Sequence, residues 1–108
     1  MLSDAIQRIK RRSKIKKIKF DIDKNWLRNK IINGRCEVTN IKFNLDIKKV
    51  ENNPFYPSID RITPSKGYTK DNCKLVIWAY NVLKADHTVD EVKKFAEGFI
   101  KYYEGLKQ

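Results

Sequence analysis

A carboxylate at Asp60 and a side-chain amide at Asn81 are the residues of this chain best suited to hold a hard cation. Ions of the magnesium class take oxygen ligands, and an Asp carboxylate and an Asn carbonyl both supply them. The chemistry such a site would serve is phosphodiester cleavage. That reaction needs a metal to shield the phosphate, a base to activate water, and basic groups to hold the backbone. A strand hairpin laid against a helix would set a strand-end carboxylate opposite a helix-borne amide. Asn72, between the two, could tie down the intervening loop through side-chain-to-backbone hydrogen bonds. Each residue also has a plainer reading: Asp60 as a turn cap before Thr63-Pro64, Asn72 as a turn residue, Asn81 as a surface amide.

The elements that would position these groups are legible in the hydrophobic spacing. Residues 55–62 read as a short strand bounded by Pro54 and Pro64, and residues 63–67 as a turn. Residues 73–77 read as a second strand. Helical spacing begins at about Trp78, with Val82 and Leu83 apolar, and ends near Asp86. A final helix opens at Thr88, with Glu91 at capping-box distance. Its apolar face, Val92, Phe95, Ala96, Phe99 and Tyr103, is expected in the core. Upstream, residues 21–33 read as a helix capped by Asp21 or Asp23 and closed by Asn33-Gly34. Residues 36–43 look extended with a turn near Asn40, and residues 46–53 read as loop. Trp26, Trp78 and Tyr68 are expected to be core.

The charge is lopsided. Lys and Arg number 24 against 13 Asp and Glu in 108 residues, a net +11 that points to a polyanion, usually nucleic acid. The surplus concentrates in residues 1–20, where eight bases face the single acid Asp4. The chain therefore reads as a basic N-terminal arm, 1–20, before a more balanced globular unit, 21–108. Within the arm a short helix is expected to about Arg12, capped by Ser3 or Asp4, with Ile6 and Ile9 on one side. Arg8, Arg11, Arg12, Lys14, Lys16 and Lys17 are its candidate phosphate contacts, joined by Lys66 from the turn. The bland alternative is a solvated helix face.

Other classes are disfavoured. Cys36, Cys73 and the lone His87 lack knuckle spacing, so no zinc is expected and the thiols are expected to be reduced packing residues. No run of about 18 apolar residues occurs, and the first residues turn basic at once, so neither a membrane span nor a secretory leader is expected. The expected compartment is a reducing cytoplasm.

The order Pro57-Ser58-Ile59-Asp60-Arg61-Ile62, Gly67-Tyr68-Thr69, Asp71-Asn72, Asn81 and Lys84 resembles the HNH endonuclease family. The likeness is to small phage-type members with a Ser-Leu-Asp-Arg-Ile-Asp core, and it extends upstream to Cys36 through Phe43. It covers roughly residues 20–100. The resemblance implies an α+β fold with a ββα-metal hairpin–helix unit and flanking helices. It implies metal-dependent cutting or nicking of DNA of low specificity, with Mg2+, or Mn2+ in its place, in the cytoplasm of a bacterium or a phage-infected host. Asp60 and Asn81 match the family's metal ligands, Asn72 its loop-holding asparagine, and Lys84 a basic position near the phosphate.

One departure matters. The general-base position holds Arg61, which stays protonated and is a poor base. Arg61 could instead grip the scissile phosphate bidentately, placing it with Asp60, Asn72 and Asn81 in the expected catalytic set and also among the DNA contacts. The base would then be water activated by the ion, Tyr56, Tyr68 or His87, the last read as an exposed helix-end residue. Arg61 and Lys84 could also be plain solvated bases. Two other functions stay open: a catalytically weak or inactive nuclease-like DNA-binding module, and a basic accessory or inhibitor protein for an acidic protein partner. No membrane partner is expected, and a homodimer is possible.

Overall fold

The computed structural model describes residues 2–46 and 53–107. Among these residues, four helices accompany one two-stranded antiparallel sheet, an α+β arrangement: α1 Leu2–Lys16, α2 Lys24–Asn33, β1 Pro57–Arg61, β2 Cys73–Ile77, α3 Trp78–Lys84 and α4 Val89–Leu106. Strand β1 is shorter than the expected 55–62, while β2 has the expected bounds. Most of the expected 46–53 loop, residues 47–52, lies outside the described residues. Among the described residues, no helix is long and apolar enough to cross a membrane.

The core forms around β2, where Cys73, Leu75, Val76 and Ile77 are all buried. Helix α2 reaches it through Leu27. Asp23 caps that helix by accepting from the Trp26 N–H at 2.8 Å, and Gly34 closes it with φ +81°, a left-handed value that suits glycine. Asp21, the other expected cap, instead accepts from the Lys70 N–H. Residues 35–43 make a tight excursion through Asn40, φ +63°. Glu37 fastens it to the edge of β2: one carboxylate oxygen accepts from the Leu75 N–H at 2.7 Å, and the other takes Lys30 Nζ at 2.6 Å.

The N-terminal segment packs against the rest of the chain. Helix α1 runs to Lys16, past the expected end at Arg12, so Ser3 and Asp4 lie in its first turn. Ile6 is buried in the core cluster, with Ala5 and Ile9 packed against it. Beyond the helix, Phe20 bridges to Tyr68, the Tyr68 N–H donates to the Lys19 carbonyl at 2.8 Å, and the Asp21 N–H donates to Tyr68. Gly67 permits this close approach, because a Cβ there would meet the Lys19 carbonyl oxygen at 2.3 Å.

Helix α4 is the main departure from expectation. Its capping box forms in full, with Thr88 and Glu91 exchanging both hydrogen bonds. Yet Val92 is its one buried residue among those described, and Phe99 is 63% exposed. Periodicity marks which side of a helix is apolar but not whether the rest of the chain covers it. Trp78 is likewise half-buried, not a core anchor, whereas Tyr68 is core at 4% exposure.

Candidate functional site at the hairpin–helix junction

Two periodicities meet at the junction. Residues two apart on a strand share a face, so Ser58 and Asp60 point the same way from β1. Residues three apart on a helix are neighbours, so Asn81 and Lys84 share a face of α3. The chain passes from β2 into α3 without a loop, and these two faces are drawn together. Asn81 Nδ2 donates to Ser58 Oγ at 2.7 Å and to the Ile59 carbonyl at 3.2 Å. One turn on, Lys84 Nζ donates to Asp60 Oδ1 at 3.0 Å and to the Arg61 carbonyl at 2.8 Å.

Lys84 therefore corrects the sequence reading. It is neither a surface base nor placed to touch a phosphate, since it is 1% exposed and held against an Asp60 that is 4% exposed. A buried ammonium needs a counter-charge and oxygen acceptors, and Asp60 with the Arg61 carbonyl provides both. Its place in the last turn of α3 adds a favourable interaction with the helix dipole.

The loop between the strands is pinned by Asn72, as its position suggested. The buried amide accepts from the Thr63 N–H at 3.0 Å and donates to the Gly67 carbonyl at 2.8 Å and the Thr63 carbonyl at 3.2 Å. All of these bonds fix loop geometry, which makes Asn72 a positioning residue.

Arg61 extends beside this loop with its guanidinium 4.8 Å from the centre of the Tyr68 ring. This is a cation–π contact, with the guanidinium over the ring. Arg12 reaches the same tyrosine from α1, donating to its hydroxyl at 3.3 Å. Two expected DNA contacts, far apart in sequence, thus flank one buried aromatic ring.

In front of the junction lies a cleft of about 670 Å³ between α1, α2 and the hairpin. Ser58 and Asn81 line its floor side, and Arg8, Arg12 and Arg28 supply its positive charge. Lys17 and Lys66 come together in a second depression beside Asn72. Arg11, Lys14 and Lys16 are exposed on α1 and line neither. Sequence reasoning missed Ser58, whose signal was its i+2 relation to Asp60. It also missed Arg28, which gives no signal because a lone base on a helix face is ordinary.

The remaining candidates divide plainly. His87 is exposed in the turn between α3 and α4, 3.8 Å from Glu91 and edge-on to Phe95. Both cysteines are buried and free. Burial pushes the Cys73 thiol up to about 12, against the opposing pull of Arg61, which makes it a poor nucleophile or ligand. Among the described residues, no three His, Cys, Asp or Glu side chains cluster as a metal site.

The Asp60 carboxylate and the Asn81 carbonyl are oxygen donors of the kind a magnesium-class ion takes, but Asn81 lines the cleft and Asp60 is not among its lining residues. Any such ion would share Asp60 with the Lys84 ammonium. Comparison with protein-family models, with curated proteins and with solved structures finds no match.

Proposed function

We infer that the chain is a DNA endonuclease of the HNH type that nicks or cuts with low specificity. The observation that carries this reading is the convergence of the motif residues on one junction. Asn81 bonds Ser58 and Lys84 bonds Asp60 where the hairpin joins α3, and Ser58 and Asn81 line a cleft that Arg8, Arg12 and Arg28 share. Arg8, Arg12 and Arg28 would hold the phosphate backbone, and Arg61 would present its N–H edge to the scissile phosphate. Asp60 and Asn81, the latter fixed by Ser58, would be the residues to hold a divalent ion. A divalent ion there would supply charge neutralisation on the phosphate.

A second reading has its own observation. The Lys84 ammonium already sits on the Asp60 carboxylate as a built-in cation, which favours a DNA-binding module that does not cleave.

One experiment separates them. Supercoiled plasmid is incubated with the protein and Mg2+, Mn2+ or a chelator, and binding is measured in parallel across salt concentrations. The endonuclease reading expects metal-dependent nicking. It expects Asn81→Ala to lose about 10²-fold or more in rate, with binding and circular dichroism unchanged. Arg8→Ala and Arg12→Ala should each reduce the salt slope of binding by about 1. Metal-independent binding without cleavage in any divalent ion moves the assignment to the second reading. No DNA affinity at moderate salt removes both and leaves an acidic protein partner.

A further inference from the structure

Helix α4 leaves an organised apolar face uncovered. Val92, Phe95, Phe99, Tyr102 and Leu106 alternate at three- and four-residue spacing, the rhythm by which one helix receives another. Val92 is spent on the chain's own core, but Phe95, Phe99, Tyr102 and Leu106 are 44%, 63%, 64% and 62% exposed. Phe99 stacks on Tyr103 and lies tilted against Tyr102, while Phe95 meets the His87 ring edge-on.

We propose that this face is a dimer interface, and that α4 pairs with α4 of a second copy of the chain in antiparallel orientation.

Charge points to a second copy. Helix α4 carries Asp90, Glu91, Glu97 and Glu104 against Lys93, Lys94 and Lys101, with Lys107 just beyond its end. That segment is net neutral in a chain of net +11, so the surplus lies elsewhere. Two like-charged copies repel across most of their surface and meet without that cost here. A nucleic acid, by contrast, would meet as many acids as bases on this segment. The flanks of the seam are small, since an added Cβ at Gly98 or Gly105 would meet nothing within 4 Å, and two backbones can approach closely.

The area is sufficient. Four exposed large side chains, three of them aromatic, offer roughly 500 Å² per copy. Doubled, that reaches the threshold of about 1,000 Å² for a specific interface.

Orientation follows from where the body sits. It contacts α4 at Val92, near the first turn. Parallel pairing would bring two basic bodies side by side, whereas antiparallel pairing separates them along a helix of roughly 27 Å and sets the helix dipoles head to tail. The register that matches the exposed residues places Phe99 against the partner's Tyr102 and Phe95 against the partner's Leu106.

Sedimentation of the full chain up to about 200 µM, the range an interface of this size calls for, tests the pairing. The expected result is a concentration-dependent mass of twice 12.8 kDa for the wild type. Phe99→Glu and Leu106→Glu should each shift it at least tenfold toward monomer with unchanged circular dichroism. A monomer at every concentration, or a dimer indifferent to both substitutions, overturns the proposal. Mixing Phe99→Cys and Tyr102→Cys chains under oxidation should give the mixed cross-link in excess. Cross-links only between identical chains overturn the antiparallel register.

Discussion

The hairpin–helix junction and helix α4 are built from equally regular patterns, yet one is closed and the other open. At the junction, strand and helix periodicities face each other, and each polar group finds its partner inside the chain: Asn81 on Ser58, Lys84 on Asp60, Asn72 on the loop backbone. In α4 the pattern is as clear and the cap complete, but the apolar side meets little beyond its first turn. Pattern therefore sets what a segment is able to bury. Whether burial happens depends on a second segment arriving with the matching face.

The largest effect should come from opening the closed region. Lys84→Met leaves Asp60 buried without its counter-charge and should cost about 3–5 kcal/mol, read from the urea midpoint. Converting Asp60 to Leu in the same chain should restore much of the loss. A neutral Lys84→Met would break the contrast, because the junction would then be no more locked than α4.

A pair of glycines sharpens it at smaller scale. Gly67→Ala drives a methyl into the Lys19 backbone and should destabilise by about 1–3 kcal/mol. Gly98→Ala, at monomeric concentration, adds a methyl that meets nothing and should stabilise by about 0.5–1 kcal/mol through helix propensity. Thermal melts of both variants check the opposite signs.

The smallest effect concerns pH. The Thr88 N–H and hydroxyl hold the Glu91 carboxyl below the usual carboxylate range. Its contribution is thus complete above the ordinary Glu pKa and disappears as pH falls through the lowered one. Helicity should decline there in wild type, and Glu91→Gln should flatten that part of the titration followed by circular dichroism.

Much of the junction was legible because its signals are local. Residues 73–77 form a short, mostly apolar run rich in β-formers, Gly34 marks a helix end, and Thr88 with Glu91 marks a helix start. Asn72 sat where a loop needs pinning. What escaped was pairing between distant segments. Nothing local reveals that Lys84 faces Asp60, because that depends on how α3 crosses β1. Ile6 and Ile9 announced an apolar side of α1, but not that residues 19–21 would be stitched to Tyr68 and seat that helix on the core. The expected coverage of α4 failed for the same reason.

Helix α1 also presents its bases on a frame that is already set. Ile6 and Ser13 are buried, the Ser13 hydroxyl bonds back to the Ile9 carbonyl, and Arg12 is tethered to Tyr68. A polyanion docking on Arg8 and Arg12 therefore meets charges at fixed intervals, and the loss of backbone freedom has already occurred during folding. Its binding should carry the small heat-capacity change of rigid-body association, not the large one of a tail that orders on contact.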